Sequence, residues 1–213
     1  MNEKQQKRVK LLIDRYPMLG IVEKEIEEVF DILKNCYKRG GKLLIGGNGG
    51  SAADAEHIVG ELMKGFKSQR TIASDMQEKL CNVDKDMGRV LADDLQGALP
   101  AIALGNHLAL NSAFANDVDG DQVYAQQVWG YGKKEDVLWA ISTSGNACNI
   151  KYAIVTAKAK GMTVVGLTGK DGGYLGEKAD VSIIVPESET YLVQELHLPI
   201  YHCLCLMLED EFF

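Results

Sequence analysis

The chain has 213 residues, a length that suits one domain with a sizeable core. Hydrophobic residues make up 46% and charged residues 25%, an ordinary globular balance, and the net charge of −7 excludes a surface that wraps DNA, which needs a basic stripe. A small anionic substrate stays possible, because backbone N–H groups can hold one locally whatever the net charge.

The first residues, MNEKQQKRVK, are charged, so no signal peptide is expected, and no apolar run approaches the ~20 residues that cross a bilayer. The five cysteines (Cys36, Cys81, Cys148, Cys203, Cys205) are odd in number and form no CxxC pair. Reduced thiols and a cytoplasmic location are the expectation.

In chain order, residues 3–16 and 21–38 read as two helices split at Pro17, the second carrying Ile26, Val29, Phe30, Leu33, Cys36 and Tyr37 at helical steps and ending at Arg39-Gly40-Gly41. Such a pair cannot bury its apolar stripe on itself, which points to packing against other subunits. Strand-like runs follow at 42–46, 100–104, 136–142, 162–168 and 181–185, with helical segments at 52–66, 122–131, 146–160 and 174–179 between them. The runs are apolar on both faces, and strand–helix alternation predicts an α/β fold with a doubly wound parallel sheet. Residues 189–213 look helical, with Pro199 expected to kink that helix or displace its start. Residues 67–99, including SDMQEKLCNVDKDMGRVLADDLQG, carry many charges and no strand pattern. They read as a mostly helical insertion, solvated in preference to a lid or an oligomer contact. One domain, 1–213, is expected, with 1–40 as a helical pair and 67–99 as the insertion.

Two loops could hold an anion. Gly47-Asn48-Gly49-Gly50-Ser51-Ala52 follows a strand and opens a helix. It loosely fits the dinucleotide pattern G-x-G-x-x-[GA], but no acidic residue ends the next strand to hold a ribose, and no Gly-Lys-Ser/Thr makes it a P-loop. A close-packing turn is the plain alternative. The second loop, ISTSGN, places Ser142, Thr143 and Ser144 before a helix. One cap needs one hydroxyl, so three in a row favour a phosphate held by hydroxyls and helix N-termini, with no lysine or arginine in either loop. His57 and Glu61, four apart, share a helix face, and Gln194 and His202, eight apart, are about two turns from one another. Spacing alone leaves the first two an ordinary surface pair and His202 a packed core histidine. His197 falls off the Gln194–His202 face and reads as a packed or bridging side chain; His107 reads as a neighbour of a helix start.

The segments GGNGGSAADAEH, AFANDVD, AISTSGN, GLTGKDGG and VQELHLPIYH resemble a sugar isomerase (SIS) domain, and within that group the phosphoheptose isomerases, which interconvert sedoheptulose 7-phosphate and a heptose 7-phosphate. The resemblance spans nearly the whole chain apart from 67–99 and implies a flavodoxin-like SIS fold. It implies one Zn2+ per subunit on His57, Glu61, Gln194 and His202, with Glu61 and His202 as the acid–base pair. It further implies a substrate site of Asn48, Gly49, Gly50, Ser51, Asn116, Asp117, Ser142, Thr143, Ser144, Asn146 and Gln194, in a homotetramer whose partners include neither nucleic acid nor membrane. The residue types suit aldose–ketose isomerisation, which needs a base at carbon, a proton donor at oxygen and stabilised negative charge. Two positions depart from the family pattern: Ala147 where a serine is common, and Tyr191 where an aspartate is common, with Thr190 a partial substitute.

Two rivals carry different functions. DQVYAQQVWGYGKKEDVLWAIS and HCLCLMLEDEFF also resemble a related adaptor that associates with the bacterial replication initiator, but that adaptor lacks counterparts of Glu61 and His202. Sugar-phosphate-binding regulators share the SIS fold, but carry a DNA-binding module for which the first two helices offer no basic helix-turn-helix.

Overall fold

A computed structural model describes residues 1–213. Five parallel strands, β1 (Leu43–Gly46), β2 (Ala101–Ala103), β3 (Val137–Ser142), β4 (Thr163–Thr168) and β5 (Val181–Ile184), form one sheet in the order β2-β1-β3-β4-β5. Each strand lies within the run expected from the sequence, and register is regular, with Leu44 opposite both Ile102 and Leu138. This order is the flavodoxin-like doubly wound one, and it reverses direction between β1 and β3, where such sheets bind ligands beyond their carboxyl ends.

Alternation along the strands feeds two cores. Leu43, Ile45, Val137, Trp139, Ile141, Val165 and Leu167 face one way and meet α1 (Glu3–Arg15), α2 (Glu23–Lys38), α3 (Gly50–Met63) and α10 (Thr190–Phe212). Leu44, Leu138, Ala140 and Val164 face the other way and meet α7 (Val123–Tyr131), α8 (Cys148–Ala159) and α9 (Gly173–Lys178). Burial on both faces is why the strands read as continuous apolar runs.

The N-terminal pair departs from the expectation. A 3-10 turn over Pro17–Val22 joins α1 to α2, and the stripe Ile26, Val29, Phe30, Leu33 and Cys36 is fully buried within the same chain, packed on α10 and β5. Val9 and Leu12 of α1 are buried on α10 as well. No second subunit is needed to cover this stripe, because the long C-terminal helix comes back over it.

α10 starts at Thr190 and continues through Pro199, so the proline does not displace its start. The one donor lost is tolerated in a helix that buries eleven side chains between Val193 and Glu209, packed on three other helices. α3 ends at Met63, short of the expected Phe66, because the next residues serve another purpose: Phe66, Lys67 and Ser68 donate their N–H groups to the Glu209 carboxylate of α10 at 2.8, 3.0 and 3.2 Å. Arg70 completes the clamp. Buried, it donates to Glu209 at 2.9 Å and to the Leu62 and Glu61 carbonyls at 2.8 and 2.9 Å, which ties the end of α3 to the end of α10.

The insertion is a helical hairpin, α4 (Ser74–Val83) and α5 (Lys85–Asp94). Asp84 caps α5 through the N–H groups of Asp86 and Met87, Gly88 allows close approach to Leu80, and a Thr71–Gln96 bridge closes the base. Between β2 and α7 lies α6 (Leu108–Phe114), followed by a π-turn at Ala115–Asp119. No helix is long and apolar enough to cross a membrane.

Candidate active site

The carboxyl ends of β1 and β3 open into a cleft of about 390 Å3, lined by Asn48, Gly49, Gly50 and Ser51 on one side, Ser142, Thr143, Ser144 and Ala147 on the other, and Thr190 and Gln194 of α10 above. The two loops singled out in the sequence therefore face one another. Neither α3 nor α8 has a side-chain cap, and no lysine or arginine lines the cleft; Ser51 and Ala52 already donate back to the Asn48 and Gly49 carbonyls, so the N–H of Gly50 and those of Cys148 and Asn149 are the first-turn donors left for an anion. Such a cleft can hold a phosphate by hydroxyls and dipoles.

Two glycines shape it. Gly145 has φ 64°, in the left-handed region, and a Cβ there would fall on the Gly172 carbonyl, so the serine loop packs directly on the turn before α9. A Cβ at Gly50 would come within 2.5 Å of Gln194 Nε2, so that glycine makes room for the α10 amide. Asn146 does not line the cleft. Its side chain donates to the Ser144 carbonyl at 3.0 Å and accepts from Tyr174 N–H at 3.3 Å, holding the serine loop in shape. Asn48 exchanges a reciprocal pair of 2.8 Å amide hydrogen bonds with Asn149. Asn116 and Asp117 bond to each other at 2.8 Å on the exposed turn after α6 and do not line the cleft.

Farther along the same helices, α3 and α10 bring together three of the four expected metal or catalytic side chains. His57 Nε2 is 3.3 Å from Glu61 Oε1, as one helix face requires, and the His57 and His202 ring centroids are 4.9 Å apart. Glu61 Oε2 is 3.3 Å from Lys64 Nζ. His202 is squeezed between His57, Tyr201 and Phe66, and its Nε2 is buried with no partner. Burial and the neighbouring His57 lower its pKa, which favours a neutral imidazole. Gln194 stays in the serine cleft, so α10 links the two halves: its amide reaches the serine-loop side and His202 the His57–Glu61 side.

Two imidazoles, a carboxylate and an amide oxygen fit zinc in ligand chemistry, and the buried, unpartnered Nε2 of His202 is compatible with a ligand role. As placed, no three His, Cys, Asp or Glu side chains close into a shell. Other neighbours carried no motif in the sequence. Tyr201 hydroxyl lies 3.0 Å from His57 Nδ1 and 3.2 Å from Asp54 Oδ1, and Tyr124 hydroxyl donates to the Gly47 carbonyl at 2.5 Å. The only signal for Asp54 was its place three residues before His57, on the same helix face.

His197 is fully buried, neither ring nitrogen forms a well-shaped hydrogen bond, and burial pushes its pKa down to about 4, partly offset by the Thr168 backbone. It is a packed histidine. His107 makes a 3.1 Å contact with Tyr131 hydroxyl, away from the cleft.

The parallel sheet with its serine-lined cleft at the switch point defines the class: a doubly wound α/β domain with a cleft suited to an anion. The SIS domain profile matches residues 20–79 and 94–169, and the unmatched residues between them lie within the helical hairpin. The chain is 36% identical over 194 residues to the phosphoheptose isomerase of Citrifermentans bemidjiense, covering 91% of this chain and 88% of that protein. It is also 36% identical to phosphoheptose isomerase 1 of Campylobacter jejuni, over 90% of this chain and 89% of that one. Among solved structures it superposes on the phosphoheptose isomerase GmhA from Neisseria gonorrhoeae with TM-score 0.74 at 30% identity, covering 96% of this chain and 98% of that chain. A phosphoheptose isomerase from Francisella tularensis gives 0.73 at 27%, covering 99% and 100%. The chain belongs to the SIS domain family and, within it, to the phosphoheptose isomerases. It is an enzyme, a sugar-phosphate isomerase.

Proposed function

We propose that the enzyme interconverts sedoheptulose 7-phosphate and a D-glycero-heptose 7-phosphate through an enediol, with Glu61 and His202 as the acid–base pair. The observation that supports this most is the convergence of Glu61 and His202, from opposite parts of the chain, around His57 on the same two helices, α3 and α10, whose Ser51 and Gln194 line the serine cleft.

Aldose–ketose isomerisation moves a proton between neighbouring carbons. One group removes the proton from the carbon beside the carbonyl and returns it to the former carbonyl carbon, while the other delivers and withdraws a proton at the oxygens. A carboxylate suits the carbon and an imidazole the oxygen. Glu61 lies 3.3 Å from Lys64, and His202, whose pKa is lowered by burial and by His57, can pass a proton either way. The serine loops and the helix N-termini fix the phosphate, so the sugar's reacting end is held toward α3 and α10. His57, Glu61 and His202, with Gln194 approaching from the cleft, would hold a zinc ion. When bound, zinc supplies positive charge that stabilises the negative oxygen developing in the enediol. Asn48, Asn116 and Asp117 are the proposed sugar contacts. Asn48 would exchange its Asn149 bonds for hydroxyls, and Asn116 and Asp117 would have to meet substrate from outside this chain's own cleft, as in a homotetramer with sites at subunit boundaries. The proposed setting is the cytoplasm.

The test is isotope exchange in deuterated buffer across a panel of ketose and aldose phosphates, with and without chelator. Deuterium should enter sedoheptulose 7-phosphate in the parent enzyme and not in Glu61→Gln or His202→Ala. Full exchange in both variants would overturn the acid–base assignment.

A further inference from the structure

Tyr201 stands between two groups that compete for its one proton. Its buried hydroxyl lies 3.2 Å from Asp54 Oδ1 and 3.0 Å from His57 Nδ1. A phenol has one hydrogen to give. If it goes to Asp54, the hydroxyl can only accept from His57, so Nδ1 must carry the imidazole hydrogen and Nε2 is bare. If it goes to His57 instead, Nε2 carries the hydrogen and points it at Glu61.

The surroundings separate the two arrangements. Asp54 Oδ2 is buried and has no partner, so turning the hydroxyl away would leave both oxygens of that carboxylate unpaired. Glu61 keeps Lys64 in either case. We propose that Tyr201, oriented by Asp54, holds His57 in the tautomer with its hydrogen on Nδ1, so that a bare Nε2 faces Glu61 Oε1.

The consequence is a site prepared for a cation. A lone pair 3.3 Å from a carboxylate oxygen is repulsive unless a positive charge is shared between them, and the His202 ring with its own unpartnered Nε2 stands 4.9 Å from the His57 ring, centroid to centroid. Tyr201 and Asp54 are thus positioning residues: they touch no substrate atom and act through His57. Their effect on catalysis rests on the zinc reading above, whereas the tautomer itself does not.

The test is long-range proton–nitrogen NMR on the nitrogen-15-labelled full chain after dialysis against chelator, at a pH above imidazole titration. His57 should show a pyrrole-type Nδ1 and a pyridine-type Nε2. Tyr201→Phe should move the hydrogen to Nε2, with circular dichroism unchanged, and Asp54→Ala serves if that variant does not fold. Competition with a chromogenic chelator should show Zn2+ bound about 10–100-fold more weakly by Tyr201→Phe, the usual effect of losing such an outer partner. Hydrogen on Nε2 in the unmodified chain, or an unmoved tautomer in both variants, would overturn the proposal. A moved tautomer with unchanged zinc affinity would overturn the positioning role. Should the tautomer move while neither protein takes zinc, the assignment stands and the zinc reading falls.

Discussion

Replacing His197 by glutamine should remove most of one specific acid sensitivity from this enzyme. His197 is buried on α10 between Gln194 and Tyr201, and burial lowers its pKa from 6.5 to about 4. The folded state therefore resists protonation that the unfolded chain accepts. Stability from this group is fully present above pH 6.5 and drains away as pH falls toward 4. At about 1.4 kcal/mol per pH unit the gap is worth roughly 3 kcal/mol, of which about 1.8 kcal/mol is gone by pH 5. The assay is urea unfolding of the parent and His197→Gln at several pH values between 7 and 4.5. The absolute stability of the variant does not matter; the difference between the two proteins should shrink steadily with acid. A difference that stays flat would show that His197 is not a buried neutral histidine. The helix concerned carries Gln194 and His202, so acid should loosen the site as the fold weakens.

Other perturbations probe other links. Glu209→Gln strands Arg70 as a buried charge and weakens the anchor for three backbone N–H groups, so chemical denaturation should report a loss of about 3–5 kcal/mol. Gly145→Ala forces a side chain onto the Gly172 carbonyl at a left-handed position, and thermal unfolding should fall by several degrees with phosphate affinity lost as well. Gly50→Ala pushes only the flexible end of Gln194, so calorimetry should find the fold nearly intact while turnover drops; unchanged turnover would remove Gln194 from the site.

Much of this protein was legible in the chain. Each strand was marked by an apolar run because both sheet faces are covered, and both cleft-lining loops were marked by glycine and hydroxyl clusters at strand–helix junctions. His57 and Glu61 were readable as one face because helix geometry is local. Where the elements stop was less legible: α3 ends at Met63 because Glu209, far along the sequence, takes the next three N–H groups, and no local propensity records that. The N-terminal stripe misled for the same reason, since its cover is α10, the last element of the chain.

The sequence by itself determined the five strands, their alternation with helices and the chemical types gathered for the site, because these follow from periodicity and from groups that only a few reactions need. Tertiary structure alone decided which of those groups meet. It placed His202 against His57, Gln194 over Gly50, and Asp117 outside the cleft. It also supplied Tyr201 and Asp54, which no motif announced, because a hydrogen bond between two helices depends on how they cross and not on the residues beside either partner in the chain.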